Sequence, residues 1–510
     1  MSGQSQLKRW LYLLPAVFLA ALAVEPVTAT HSQEQGDGSF DTAAVDRLVE
    51  ATRREFGYRG IAVAVTRADK VLYTRGYGVA DDAGTPVTAD TPFVMGSTSK
   101  SIAGVAVMQL VEAGKLDIGA PVTRYLPWFR TRDKAESDRI TLAMLLGHTS
   151  GLPYIFRGDE DIDGQESGSL LEEAVRAAAG AELNFPPGTR FAYSNLGYKT
   201  LGLIVQSVSG EPYDEYLERH IFAPLEMTRT FTSWRKAQAQ GLTNGYSYRL
   251  GVYFLLANHP SSSLLPEGGV ISTANDLAHY LIAQADDGRY NGVAIVSPEG
   301  SRRLHEPFLL QSDTQTKTKE KGSTGYAMGW YVRHYAGHTM FTHSGEFPGF
   351  TSLFAVVPAN HCGVAVLNNS VRDIVPDFDP TTRIGVAAAA LCAGLPLPPR
   401  GSWGSQEVLY GSILVALILQ GGYLFFCWSG RGPHRLLEIL AVPTSVAAVL
   451  ASANQFLSAG VSVPFAWVFA PNVVITMFLN VAIGVLTLTT FGGRVPRLAR
   501  RFTAWRRGKK

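Results

Sequence analysis

The sequence predicts an α+β protein, an antiparallel sheet flanked by helices and followed by three membrane-spanning helices. Three observations carry that expectation. A helical stripe at Ala43, Val45, Leu48, Val49 and Thr52 runs into alternation over 61–66 and 71–76 around Asp69-Lys70, which reads as a helix and then a hairpin. Strand-like runs at 338–344, 350–358 and 362–368 close the sheet, and a last helix comes after them over 383–392. A helix, then strands, then a further helix argues for this arrangement over a doubly wound parallel sheet. Beyond residue 396 the composition shifts to three long apolar runs.

A chain of 510 residues has room for two or three domains and an ample core, so its stability needs neither disulfide nor metal. Hydrophobic residues make up 46% and the mean hydropathy is +0.06, high for a purely soluble protein. Lys8 and Arg9 precede an apolar run over 10–24, and Val27-Thr28-Ala29 offers small residues for cleavage, so 1–29 reads as a signal peptide. An uncleaved anchor is the alternative, although the run is short for a bilayer span. Both readings export the domain behind it.

Residues 30–41 form a polar linker, 42–395 the exported domain, and 396–408 a Pro-rich second linker. Within 409–491, the runs 409–428, 439–457 and 472–491 are each long and apolar enough to span a bilayer. The first connection carries Arg431, His434 and Arg435, whereas the second, 458–464, is uncharged. The tail 492–510 holds eight basic residues and no acidic one, so the formal net charge of +2 conceals −6 over the rest. The positive-inside rule puts the first connection and the tail in the cytoplasm. The expected location is the inner membrane, with the exported domain periplasmic.

Charge also excludes partners. The run 311–322 has no aromatic platform beside it and reads as a solvated loop, so no nucleic acid is expected. The basic tail reads as a topology signal with attraction to anionic lipid. Residues 157–164 begin like a calcium loop, with Asp159, Asp161, Asp163 and Gly164, but Leu170 stands where a bidentate Glu is required. Calcium is rejected, and no other metal or cofactor is expected. Cys362 and Cys392 share the exported domain and can pair, without a framework pattern to require it. Cys427 lies in a span as apolar filler.

The stretch that carries chemistry starts at Gly96-Ser97-Thr98-Ser99-Lys100. Apolar residues at Ile102, Val105, Ala106 and 108–110 read as a largely buried helix opening at Ser97. The i, i+3 spacing stacks the Lys100 amine over the Ser97 hydroxyl. Burial lowers a lysine pKa and fits it to activate a serine. S-x-x-K alone is a weak signal, and its bland reading is a capped helix with a surface lysine. Two further stretches stand in order behind it. Residues 185–198 are a Pro-Gly turn that delivers Tyr193-Ser194-Asn195 ahead of a helix. Thr342-His343-Ser344-Gly345-Glu346 ends one strand-like run and precedes another.

On these motifs the chain resembles the serine β-lactamase and D,D-peptidase superfamily, in particular its class C-like branch, over about residues 40–395. Gly147-His148-Thr149-Ser150-Gly151-Leu152-Pro153 and the stretch 266–273 support the likeness. The resemblance implies a β-lactamase/transpeptidase-like fold in which the catalytic serine begins a helix bordering an all-helical subdomain, here about 100–320. It implies Ser97 as nucleophile, with Lys100 and Tyr193 as its proton-handling partners. Tyr193 serves as a base only where Lys100 and His343 stabilise its phenolate. Asn195 would hold the substrate amide and Lys100. His343, Ser344, Gly345 and Glu346 would bind substrate, with the backbone N–H groups of Ser97 and Glu346 as oxyanion hole. His343 departs from the usual lysine and is a weaker anchor for a carboxylate.

An exported domain of this kind ahead of three membrane helices resembles prodrug-maturation peptidases, such as that of colibactin, which remove an N-acyl-D-amino-acid leader. The expected partners are a small-molecule or peptide substrate and membrane lipid. Cell-wall D,D-peptidase or D-aminopeptidase, esterase and β-lactamase activities stay open, as does a penicillin-binding sensor that acylates without turnover. No G-x-S-x-G elbow supports an α/β-hydrolase.

Overall fold

The computed structural model describes residues 40–154, 164–249, 252–310, 323–372 and 380–398. The expected signal peptide, the membrane spans, the basic tail, nearly all of both linkers and the loops 157–163 and 311–322 lie outside them. Among the described residues no helix is long and apolar enough to cross a membrane.

Helix α1 (Thr42–Phe56) opens on the Asp41 carboxylate, which accepts from the Ala44 N–H at 2.8 Å, and closes on Gly57 in the left-handed region. Its buried stripe is Val45, Val49, Thr52 and Phe56; Ala43 faces solvent. Strands β1 (Gly60–Arg67) and β2 (Lys70–Gly78) form the expected hairpin. A 3-10 turn, Gly96–Thr98, leads into α2 (Ser99–Glu112). The helix therefore opens two residues later than expected, because Gly96 turns the backbone at φ +59° and the 3-10 turn absorbs the change of direction.

Between α2 and the later strands run α3 (Asn195–Ser209), strands β3 (Gly245–Arg249) and β4 (Val252–Leu256), and α4 (Ala274–Ala285). This corrects the all-helical subdomain expected over 100–320. The β3–β4 hairpin, Gly-Tyr-Ser-Tyr-Arg and then Val-Tyr-Phe-Leu-Leu, has the aromatic and branched content that favours extended backbone.

The main sheet continues with β5 (Leu309–Leu310), β6 (Ser323–Tyr326), β7 (Tyr331–Tyr335), β8 (His338–Phe347), β9 (Phe350–Val357) and β10 (Cys362–Asn368). Its eight strands run in the order β2-β1-β10-β9-β8-β7-β6-β5, every neighbouring pair antiparallel. A short strand β11 (Ser370–Arg372) leaves this sheet and pairs with β3 in parallel. The closing helix is α5 (Pro380–Ala393).

Register assigns the two covering layers. Val356 lies opposite Gly363, and a Cβ at Gly363 would meet Leu281 of α4. Leu353, on the other face, lies under Gly385 of α5. With helices on both faces, β1, β9 and β10 read as nearly continuous apolar runs, buried almost throughout.

Cys362 and Cys392 form a disulfide that ties the start of β10 to the last turn of α5, with Cα atoms 6.1 Å apart. Closing a loop of sequence separation 30 is worth about 3–4 kcal/mol on the chain-entropy account. Cys392→Ser in the full chain should lower unfolding free energy by about 3 kcal/mol. Urea denaturation monitored by tryptophan fluorescence would register it, and an unchanged midpoint would show that the tie adds nothing.

Candidate active site

The turn Gly96–Thr98 is stapled by hydroxyls. Thr98 Oγ1 donates to Met95 O at 2.9 Å, Ser99 Oγ to Gly96 O at 2.8 Å, and Ser352 Oγ of β9 to Met95 O at 2.5 Å. The turn presents Ser97, half-buried, beside Lys100, whose side chain is wholly buried. The i, i+3 spacing across the junction of turn and helix brings Lys100 Nζ to 3.3 Å from Ser97 Oγ.

Lys100 Nζ also donates to Asn195 Oδ1 at 2.9 Å and to the Glu267 backbone oxygen at 2.7 Å. Both are acceptors only. Two N–H bonds of Lys100 are thereby committed, and the third position on nitrogen faces Ser97. The amine lies 4.8 Å from the centre of the Tyr193 ring and 5.5 Å from that of Tyr198. Asn195 opens α3, where Ser194 is the N-cap: its Oγ accepts from Gly197 N at 3.2 Å and donates to Pro153 O at 2.9 Å. Tyr193 is thus held directly ahead of a capped helix.

Strand β8 approaches the Ser97 turn backbone to backbone. A Cβ at Gly96 would fall 2.5 Å from Glu346 N, and one at Gly345 would fall 2.1 Å from Met95 O. Only glycine permits either approach, and the approach sets the Glu346 N–H beside the turn that carries Ser97. The two N–H groups expected to form an oxyanion hole, those of Ser97 and Glu346, therefore come from adjoining segments. Ser344 is half-buried and the Glu346 side chain is exposed.

His343 departs from what an open substrate anchor would look like. Its side chain is buried, Nδ1 is 2.7 Å from Ser344 O and Nε2 is 3.1 Å from the Tyr326 hydroxyl. A neutral ring satisfies both contacts, with Nδ1–H donating to the carbonyl and Nε2 accepting from Tyr326. The rings of Tyr193, Tyr326 and Tyr331 lie 5.2–6.1 Å away from it.

Burial pushes the Tyr193 phenol well above its ordinary pKa, neighbouring Tyr331 pushes the same way, and the hydrogen bond with Ser97 opposes them. The expected phenolate is therefore disfavoured, because desolvation outweighs what Ser97 offers the anion. His148 goes down instead, through burial first and then Lys100 and His343. Sequence motifs alone assign no role to two residues at this site. His148 packs on Tyr193, with ring centres 4.2 Å apart. Glu267 lends its carbonyl to Lys100 while its buried carboxylate pairs with Lys199 of α3 at 3.7 Å. The stretches around them support the family resemblance without marking either residue.

A family model described as Beta-lactamase matches residues 45–389. The chain belongs to the Beta-lactamase family. Among its relatives, penicillin-binding protein 4 of Amycolatopsis lactamdurans is 30% identical over 348 residues, 65% of this chain and 86% of that protein. Protein flp of Staphylococcus aureus strain N315 is 26% identical over 342 residues; the match spans 65% of this chain and 64% of that protein's length. The structure of the octameric penicillin-binding protein homologue from Pyrococcus abyssi aligns with a TM-score of 0.59 at 27% identity, covering 70% of this chain and 78% of that one. The chain thus spans about two thirds of the length of protein flp and most of that of penicillin-binding protein 4.

Gly345→Ala should slow modification of Ser97 by an activated-serine probe about 100-fold or more, the scale of losing one oxyanion donor. Labelling kinetics by intact-protein mass test this, and unchanged kinetics would remove β8 from the site.

Proposed function

We propose that the protein is a membrane-anchored, extracytoplasmic serine hydrolase that cleaves amides of N-acyl-D-amino acids through an acyl-serine intermediate, as a prodrug-maturation peptidase does. The observation that carries the chemistry is the Lys100 amine, with two hydrogens committed to carbonyl oxygens and its third position turned to Ser97. Support for anchoring is the three apolar runs after residue 408.

In this mechanism Ser97 Oγ attacks the acyl carbonyl carbon and its proton passes to Lys100 Nζ. The carbonyl oxygen gains charge against the N–H groups of Ser97 and Glu346. Tyr193, a neutral phenol, gives its proton to the departing amine and recovers one from Lys100. The proton taken from Ser97 thus ends on the leaving group. Water then attacks the acyl-serine, its proton passing to Lys100 Nζ and from there to Ser97 Oγ as the acid departs. Tyr193 carries a proton in this scheme without resting as phenolate.

The enclosure of His343 argues against a cationic clamp for a substrate carboxylate, and so ranks amide and ester substrates above β-lactams and D-alanyl termini. The first test is intact mass after an activated-serine probe, and then turnover of N-acyl-D-alaninamide and its L-isomer. Labelling at Ser97 with D-selective turnover supports the proposal, whereas labelling without turnover would indicate a penicillin-binding sensor. Ser97→Ala should lose about 10³-fold or more of kcat; full turnover in that variant would overturn the mechanism.

Leaving-group chemistry tests Tyr193 separately. Tyr193→Phe should lower kcat for the amide by about 10²–10⁴-fold, because the amine must gain a proton, yet lower that for 4-nitrophenyl butyrate by less than about 10-fold. Equal losses on both substrates would refute the relay.

A further inference from the structure

His148 lies just past the short helix Leu142–Leu146 and sits at φ +57°, in the left-handed region, which histidine adopts more often than most side chains do. Its side chain is wholly buried. From that position it grips the chain on both sides of Tyr193. The Ala192 N–H donates to the His148 backbone oxygen at 2.8 Å, and the Ser194 N–H donates to His148 Nδ1 at 3.1 Å. The imidazole lies against the Tyr193 ring, tilted by 32°.

The hydrogen bond from Ser194 fixes the protonation state. A backbone N–H can only donate, so Nδ1 must be the unprotonated nitrogen, and Nε2 carries the hydrogen. Among the described residues Nε2 has no hydrogen-bond partner. The groups around the ring leave the neutral form in place: Lys100 of α2, His343 of β8, Tyr198 of α3, Tyr326 of β6, and Phe191 and Tyr193 of the preceding loop. Two hydrogen bonds from this one residue thus converge on the tripeptide that carries Tyr193.

We propose that His148 is the positioning residue of Tyr193: as a neutral acceptor it sets the backbone at 192–194 and so aims the phenol at Ser97 and the leaving group. The inference rests on the proposed acyl-serine mechanism, in which Tyr193 relays the proton.

The test uses the full chain with two substitutions that both tolerate the left-handed backbone and differ in the acceptor. His148→Gly removes it, whereas His148→Asn returns an amide oxygen close to the place of Nδ1. His148→Gly should cut kcat for N-acyl-D-alaninamide about 100-fold, leave KM within about 3-fold, and leave 4-nitrophenyl butyrate turnover within about 5-fold. His148→Asn should recover amide turnover to within about 10-fold of the unsubstituted protein. Combining His148→Gly with Tyr193→Phe should cost no more than Tyr193→Phe alone.

Amide and ester falling together, or full amide turnover in His148→Gly, would overturn the inference. So would His148→Asn as slow as His148→Gly. Should His148→Gly fail to fold, His148→Asn decides alone: at least about a tenth of normal amide turnover supports the inference, and a fall to the level of Tyr193→Phe overturns it. Ser97→Ala separates the two readings. If that variant still turns over substrate, the acyl-serine mechanism has failed. If it is inactive while His148→Gly hydrolyses the amide normally, only the role of His148 has failed.

Discussion

A lysine amine with no access to water must find acceptors or be expelled, and the site is built on meeting that demand for Lys100. One acceptor comes from Asn195 at the start of α3, the other from the backbone of Glu267. These partners lie far apart in the chain, so the amine binds three segments at one point. Glu267 reinforces the junction by pairing with Lys199, one turn along α3 from Asn195. A buried ion pair is weak evidence of net stability, because desolvation offsets its attraction. What the pair does is fix where the two acceptors of Lys100 stand relative to each other.

The second constraint is close backbone approach. Strand β8 meets the Ser97 turn through Gly345 and Gly96, and the antiparallel register of β8, β9 and β10 carries that position into the core. Ser352, on β9 opposite Gly345, donates to the same Met95 oxygen that Gly345 approaches. Ser97 is therefore indexed to the sheet as well as to its own helix. Helices on both faces of the sheet keep this frame dry and rigid.

Much of this was legible in the sequence for physical reasons. Apolar runs covered on both faces mark β1, β9 and β10, and the Asp69-Lys70 turn marks the hairpin that adds β2. The i, i+3 spacing of Ser97 and Lys100 is local and survives the change from α-helix to 3-10 turn. The illegible features depend on partners remote in the chain. The inward turn of His343 is set by Tyr326, on a neighbouring strand pair, and the role of His148 by Ala192 and Ser194, more than forty residues away. The shift at Tyr193 comes from burial, which the motif Tyr-Ser-Asn does not encode. The third strand beside the hairpin of β3 and β4 is β11, which directly follows β10 and joins β3 in parallel from far along the chain.

These remote contacts change how the site must handle charge. Phe191, Tyr193, Tyr326 and Tyr331 form one buried aromatic cluster with Tyr154 packed against it, adjoining His148 and His343. In such surroundings an isolated phenolate or imidazolium is disfavoured by desolvation, as the directions at Tyr193 and His148 show. A mechanism that parks a full charge on either would work against its own walls. In the proposed mechanism a proton passed from Ser97 to Lys100, and from Tyr193 to the departing amine, keeps the tyrosine neutral at rest and after each turnover. The charge that develops on substrate oxygen then meets backbone N–H groups already in place, which need not reorganise. Aromatic enclosure and the proposed relay are thus consistent with each other: the walls that make a resting phenolate costly leave Tyr193 a neutral proton carrier.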